Sequence, residues 1–563
     1  MKTKIITAAA ALCTAAAAAS TAFASGGDCV MKVVKSDIEY DWSDGYNLVG
    51  TDSETGKTIP FCEYENGYFY AYVPEDTEVT FKSGEQPHFN DLDAHAYAPG
   101  LSRMYARKII TGDENGNFNG DEILTRAQMA AIIARMINAD EAAAGEMPFK
   151  DVSENDWFAP AVYALYSRGI VMGDDYFNPS RSVTREELVT MEYRVVNYFG
   201  GTASRVFEYD GFVDIDTVSD YAREAYDKLY EMGYYLFPTF VPTGYGKSDQ
   251  YLEPQKSITR TEACEYIDYF MSDFMYGNRP AIPTELAEEF GLDEEMPVIT
   301  GSTSSYPITE QLYRSLFINH DKHVRFPAAH DKTIESYKLL IDGAADIILV
   351  PDPTDEVEEL AESEGAELEY IPISNEALVF FTNGQNPAEN ITSEQIKSIY
   401  VDNAVSNWSE IGGPDAPFAA YCRNNDSGSH AQMERFFLDG REINEDIRLE
   451  NISISMSSIL TDVSGFSYDN PGSYALGYSM YYYFKNTVSF LLSENSLKLL
   501  SVDGVMPTDE TLADRSYPLS TNYFAVIRVD EPENSPARNV AGLLTSESGQ
   551  TIIANAGFGS FKN

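Results

Sequence analysis

The pattern of apolar and polar positions changes character along the chain. An Ala-rich apolar run, residues 5–19, follows Lys2 and Lys4. Between residues 28 and 87, short aromatic stretches alternate with turn residues. There, Tyr64-Glu65-Asn66-Gly67-Tyr68-Phe69-Tyr70 sets an Asn-Gly turn between two aromatic strands, a hairpin signal. From residue 89 to about 275 the apolar period is helical. From Met296 onward, short β-type runs alternate with helical segments, the pattern of a parallel sheet with crossovers. In that last stretch residues 298–301, 345–350 and 377–381 predict strands, and residues 308–317 and 430–438 predict helices.

The helical stretch repeats itself. A first copy opens on Phe89-Asn90-Asp91-Leu92, passes Gly112-Asp113 and closes on Thr125-Arg126-Ala127-Gln128. A second opens on Phe149-Lys150-Asp151-Val152, carries Trp157-Phe158 and Gly173-Asp174, and closes on Thr184-Arg185-Glu186-Glu187. A third runs from Phe212-Val213-Asp214-Ile215 to Thr259-Arg260-Thr261-Glu262, with an insertion around residues 237–250. A Thr three residues ahead of Glu or Gln is a capping box, and the Gly-Asp turn stops the preceding helix. The helix after the first box puts Met129, Ile132, Ile133 and Met136 on one face. One such helix pair cannot bury that face alone, so the copies are expected to pack on each other.

This trio resembles the S-layer homology (SLH) domain. The resemblance implies an α-helical pseudo-trimer that binds secondary cell-wall polysaccharide in grooves between repeats. In that reading Arg126, Arg185 and Arg260 meet the anionic sugar and Trp157 stacks on it. Read from the residues alone, each Arg pairs with a neighbouring acid and Trp157 is core. Copy three departs from the family by lacking the Gly-Asp turn.

Composition sharpens this reading. Acidic residues outnumber basic ones 89 to 39, for a net charge of −50. That excludes nucleic acid and anionic membrane surfaces as partners, because both need clustered Lys and Arg. An anionic ligand would have to be held by a local pocket acting against the global field. The opening run, ending in Ala22-Phe23-Ala24, has the form of a secretory signal cleaved after Ala24. Its ~15 apolar residues are too few to span a bilayer comfortably, and no later segment approaches the ~20 of a transmembrane helix. Cys29 and Cys62 bracket one small segment and are the disulfide candidate, while Cys264 and Cys422 read as buried thiols. Asp113-x-Asn115-x-Asn117 mimics a calcium loop, but Phe118 sits at the required Gly and Leu124 at the required Glu. No metal and no cofactor is expected.

The second half carries an anion signature. Gly301-Ser302-Thr303-Ser304-Ser305-Tyr306-Pro307 joins a short strand to a helix, and Thr333 precedes another helix, so hydroxyls and N–H groups gather at helix starts. The strongest local signal is Arg423-Asn424-Asn425-Asp426-Ser427-Gly428-Ser429, directly before the helical stretch 430–438. Its Arg offers paired donors matching the edge of a tetrahedral oxyanion. These residues, with the Asn390–Tyr400 segment and Val502-Asp503-Gly504-Val505, resemble the substrate-binding protein of phosphate ABC transporters. The resemblance implies two α/β lobes of the periplasmic-binding-protein type II kind closing on the ligand, with crossings near residues 381–383 and 475–478. It implies that Ser305, the Tyr306 amide, Thr333, Arg423, Ser427, Gly428 and Ser429 hold phosphate. Pro351 stands where the family has an acidic residue, with Asp352 next to it as the substitute, and Asn425 replaces the Asp that orients the Arg.

The expected architecture is multidomain: signal peptide 1–24; a small β-rich segment 25–87; three SLH repeats within 88–280 (about 88–140, 148–200 and 211–275); an acidic linker 281–295; and a phosphate-binding domain 296–563. The expected function is a non-enzymatic, wall-anchored protein that captures inorganic phosphate for an ABC permease or for sensing. The alternative is a structural S-layer-associated wall protein whose lobes are degenerate or take another oxyanion, sulfate or molybdate-like. An enzyme is the rival class, but Ser427-Gly428-Ser429-His430 is not a G-x-S-x-G elbow. His320, His323 and His330, in a loop-like stretch with Asp321, read as solvated rather than as a metal site.

Overall fold

The computed structural model describes residues 29–36, 48–92, 99–139, 147–173, 175–201, 211–244, 247–353, 355–425, 427–493 and 495–561. The expected signal lies outside the described residues, as does Asp426. The chain divides into two compact units, Met1–Pro280 and Ala281–Asn563. No helix among the described residues is long and apolar enough to cross a membrane.

In the first unit the Asn-Gly turn forms as its residues require. Asn66 and Gly67 both take positive φ, 50° and 83°, joining strands Cys62–Glu65 and Tyr68–Pro74 in a hairpin. A second three-stranded sheet places Leu48–Asp52 between Thr58–Ile59 and Val79–Ser83. Leu48, Ile59, Phe69 and Phe81 are buried in the core that these strands share. The expected disulfide does not form, and strand order gives the reason. Cys29 and Cys62 lie on strands that pair with opposite edges of Tyr68–Pro74. Two strand spacings separate them by roughly 10 Å, beyond the ~7 Å that a disulfide bridges. The buried Cys62 Sγ instead accepts the Gly50 N–H at 3.2 Å. Cys264 and Cys422 are buried thiols, as expected; burial pushes them up to about 12 and about 11 respectively.

Each repeat supplies a helix pair: Pro99–Ala106 with Arg126–Met136, Ala159–Ser167 with Arg185–Phe199, and Asp220–Glu231 with Arg260–Asn278. All three capping boxes form, at Thr125/Gln128, Thr184/Glu187 and Thr259/Glu262. The residues just before them close a ring of backbone hydrogen bonds: Val183 N–H to Leu124 O at 3.0 Å, Leu124 N–H to Ile258 O at 3.0 Å, and Ile258 N–H to Val183 O at 3.1 Å. One device recurs in every copy. Asp91, Asp151 and Asp214 each accept two consecutive backbone N–H groups at 2.7–2.8 Å, from Phe118/Asn119, Phe177/Asn178 and Leu252/Glu253. The second residue of each pair, Asn119, Asn178 or Glu253, is left-handed, a conformation Asn tolerates better than Glu. The extra residues of copy three form the hairpin Thr239–Gly244/Lys247–Tyr251. The Asp113 loop spends its carboxylate on its own Asn115 and Asn117 N–H groups, both at 2.8 Å, and on Asn119.

The second unit is organised by one long strand. Leu368–Asn383 pairs through residues 368–377 with Ser520–Arg528 and through residues 378–382 with Tyr474–Met480. Sixteen residues extend roughly 53 Å at about 3.3 Å each, long enough to serve two sheets. The first lobe's sheet adds Ile347–Val350 and Ile299–Gly301; the second adds Phe418–Ala420 and Leu497–Leu499. The outward crossing therefore falls near Ala377–Leu378 and the return near Ser520, rather than at 381–383 and 475–478. The sequence suggests a shorter strand because the apolar 377–381 run covers only five of its sixteen residues, in its second half. The acidic stretch 281–295 is also not a linker. Ile282–Pro283 pairs with Phe317–Ile318, Thr284 caps the short helix Glu285–Glu289, and Ala287 and Leu292 are fully buried in the lobe core. Its acids face outward while its few apolar residues anchor it.

Asp151→Ala removes both N–H partners of the second repeat's loop. It should destabilise the first unit by about 2 kcal/mol, read as a shift of its unfolding transition; an unchanged transition would show that the carboxylate merely occupies the loop.

Candidate functional site

The site is built where strands of the first lobe hand over to helices. At Gly301 the chain passes so close to Leu349 O that a Cβ would lie 2.1 Å from it, so only glycine fits. Ser302 N–H donates to Leu349 O at 3.0 Å, and a tight turn leads into helix Tyr306–Leu316. Ser305 Oγ is fully buried and turned inward, donating to Leu349 O at 2.6 Å and lying 3.2 Å from His330 Nδ1. Its hydroxyl is engaged in holding the turn that starts the helix. Tyr306 opens the helix, so its first-turn N–H groups have no helical acceptor.

His330 is buried rather than solvated, which corrects the sequence reading. Its Nδ1 lies 2.9 Å from Ser302 O and its Nε2 3.1 Å from Thr309 Oγ1. Burial pushes its pKa down to about 4, so the ring is neutral at ordinary pH and supports the turn as a hydrogen-bonding wedge. His320 and His323 are half-buried. Among the described residues no group of three His, Cys, Asp or Glu could hold a metal ion.

Thr333 is the first residue of helix Thr333–Ile341, and Gly428 the first of helix Gly428–Met433. The two starts converge: a Cβ on Gly428 would lie 3.2 Å from Thr333 Oγ1 and 2.9 Å from Pro351 Cγ. Ser427 caps its helix, its Oγ accepting the His430 N–H at 3.2 Å. Thr333 Oγ1 and Ser429 Oγ are buried and bond to nothing. An unmatched buried hydroxyl costs about 1–3 kcal/mol, so each of the two is a candidate contact for a polar ligand.

Arg423 enters from the second lobe, buried at the end of the short strand Cys422–Arg423. Its N–H donates to Tyr478 Oη at 2.9 Å, its Nε to Ser453 O at 3.0 Å and its Nη2 to Asn424 Oδ1 at 3.2 Å. Asn424 and the Ser453 carbonyl thus help to hold the guanidinium, and Asn425 is exposed. Asp352 departs from expectation. Its carboxylate is engaged by Arg435 and Thr521, and nothing in its contacts directs it at the converging helix starts.

Sequence reasoning missed Glu376, which lies opposite Thr521 on the long strand and is fully buried. Its Oε1 accepts the Ala377 and Tyr482 N–H groups at 2.9 and 3.2 Å, and its Oε2 has no partner. Burial pushes its pKa up to about 8 against those bonds. An acid directly before the apolar run 377–381 is the signal that could have found it.

In the first unit the three arginines occupy equivalent places, each reaching to the next copy in a cycle. Arg126 pairs with Glu187 and lies over Phe177, 5.1 Å from the ring centre. Arg185 donates to Leu252 O at 3.1 Å, pairs with Glu253 at 3.2 Å and lies over Tyr266. Arg260 donates to Thr111 O and lies over Phe118. Trp157 is 63% exposed, which rules out a core role.

These features can be set beside known proteins. A model of the PBP superfamily domain matches residues 293–548, and a model of the S-layer homology domain matches residues 88–130 and 148–189. Residues 211–275 lie outside the matched segments. The chain is 25% identical over 272 residues to "Phosphate-binding protein PstS" of Borreliella burgdorferi, covering 47% of this chain and 90% of that protein. It is 26% identical over 196 residues to an endoglucanase of Bacillus sp. (strain KSM-635), covering 33% of this chain and only 20% of the enzyme's length. A crystal structure of a phosphate ABC transporter substrate-binding protein from Clostridium perfringens with bound phosphate is 24% identical, covers 47% of this chain and 98% of its own, and has a TM-score of 0.36.

Glu376 supplies a pH test. Because its folded pKa lies above the ordinary carboxyl value of 4.5, the native state holds a proton that the unfolded chain releases. Stability is therefore full below about pH 4.5 and declines as pH rises toward about 8. Glu376→Gln should flatten that decline in denaturant titrations across the window; an unaltered slope would contradict the assignment. The chain joins S-layer homology domains to a PBP superfamily domain.

Proposed function

We propose that the second unit captures inorganic phosphate outside the cell, and that the first unit holds the protein non-covalently to the wall through secondary cell-wall polysaccharide. The observation that carries the first half is the pair of buried hydroxyls without a protein partner, Thr333 Oγ1 at the start of one helix and Ser429 Oγ at the start of the helix that follows the Arg423 loop. Hydroxyl and amide donors fixed in a dry cleft stabilise a tetrahedral oxyanion without reorganising, and a guanidinium adds paired charged donors. Such a cage explains how a chain of net charge −50 takes an anion. The proposed ligands are the Tyr306 and Gly428 amides, Thr333, Arg423 and Ser429; Ser305 and Ser427 shape the helix starts. The likeness to a curated phosphate-binding protein supports phosphate as the ion. Delivery is to an ABC permease or to sensing.

The second half rests on the cyclic placement of Arg126, Arg185 and Arg260 between successive helix pairs of a pseudo-threefold bundle, with the exposed Trp157 ring offered to a sugar face. The S-layer homology match supports a place at the cell wall or S-layer surface.

Isothermal titration of the full chain should show saturable phosphate binding, and Arg423→Ala should weaken it about 30-fold, the loss of a charged hydrogen bond in a closed pocket. Unchanged affinity would overturn the pocket, and equal affinity for sulfate would shift the ligand. The full chain should also sediment with isolated cell walls, and should stay in the supernatant once the wall polysaccharide is extracted.

A further inference from the structure

Asp352 and Arg435 lie on different lobes. Asp352 follows strand Ile347–Val350 of the first lobe, and Thr521 begins the first-lobe strand Ser520–Arg528. Arg435 sits in the π-helical turn Glu434–Leu438, which continues helix Gly428–Met433 of the second lobe. Its Nη1 donates to Asp352 Oδ2 and, at 3.1 Å, to Thr521 Oγ1, while the Thr521 hydroxyl donates to the same carboxylate oxygen. The three groups form a closed triangle across the cleft. We propose that Arg435 is a positioning residue that clasps the two lobes through Asp352 and Thr521, and thereby sets the affinity of the cleft for its anion.

Burial supplies the link to affinity. Thr333 and Ser429 are 1% and 0% exposed, so an ion reaches them only when the lobes part. Parting the lobes separates Gly428 from Thr333 and Pro351 and breaks the triangle; closing remakes it around the bound ion. Whatever the triangle contributes to the closed form is added to ligand affinity. It also assigns Asp352 a role other than ligand. The Arg435 side chain is 45% exposed and that of Asp352 18%, so the clasp is partly open to solvent and weakens with salt. This rests on the anion reading of the cleft only for the affinity claim; the clasp itself is testable without ligand.

Hydrogen exchange of the ligand-free full chain tests it. Peptides covering the starts of helices Thr333–Ile341 and Gly428–Met433 should exchange about threefold faster in Arg435→Gln and in Asp352→Asn, the scale of a partly exposed ion pair. The double variant should exchange no faster than either single one, Arg435→Lys should fall between, and about 0.5 M salt should move the wild type toward Arg435→Gln. Unchanged exchange over Ile347–Val350 shows that each variant is folded. Wild-type rates in Arg435→Gln, or additive effects in the double variant, overturn the clasp. In parallel titrations Arg435→Gln should weaken phosphate binding about three- to tenfold; an unchanged affinity overturns the affinity claim. A wild type that binds no phosphate removes the anion reading, and the exchange result then decides the clasp on its own.

Discussion

Burying a hydroxyl without a protein partner is costly, and the second unit does so at Thr333, the first residue of one helix, and at Ser429, in the first turn of another whose first residue, Gly428, lies against Thr333. Thr333 Oγ1 and Ser429 Oγ are brought together by backbone that leaves little freedom: glycine at 428 because a side chain would strike Pro351, and glycine at 301 because one would strike Leu349 O. Such placement is destabilising in isolation, and in the proposed reading a third, polar body completes the set. The rest of the unit serves that juxtaposition. One continuous strand, Leu368–Asn383, ties the two sheets and fixes the register of both lobes. His330 and Ser305 fix one wall from below, and Asn424 and Ser453 aim the guanidinium from the other.

The first unit solves a different problem by repetition. Helices of successive copies pack on each other, and the copies close a ring of backbone bonds at residues 124, 183 and 258. The Asp of each opening motif pins the same loop in the same left-handed geometry. The third copy keeps the Asp and the capping box while changing nearly everything between them, which is why its structure is equivalent although the family model's matched segments end earlier.

What the sequence made legible was local chemistry. Capping boxes at Thr125, Thr184 and Thr259 and the Asn66-Gly67 turn all form, because each is decided within a few residues. The helix starts carrying Thr333 and Gly428 were legible for the same reason. What depended on distant pairing was not. Strand order keeps Cys29 from Cys62, Arg435 reaches Asp352 across 83 positions, and Glu376 borrows its N–H partner from Tyr482. The 281–295 segment misled by composition, since its acids outnumber the two buried apolar residues that anchor it. The contact of Arg423 with the neighbouring Asn424 was not foreseen, because it depends on side-chain direction.

The central claim is that the converging helix starts enclose a tetrahedral ion. A crystal structure of the full chain grown with phosphate tests it most directly. The account predicts one tetrahedral ion within hydrogen-bond distance of Thr333 Oγ1, Ser429 Oγ and the Arg423 guanidinium. Density for the ion elsewhere, with those hydroxyls bonded to water or to each other, would contradict it.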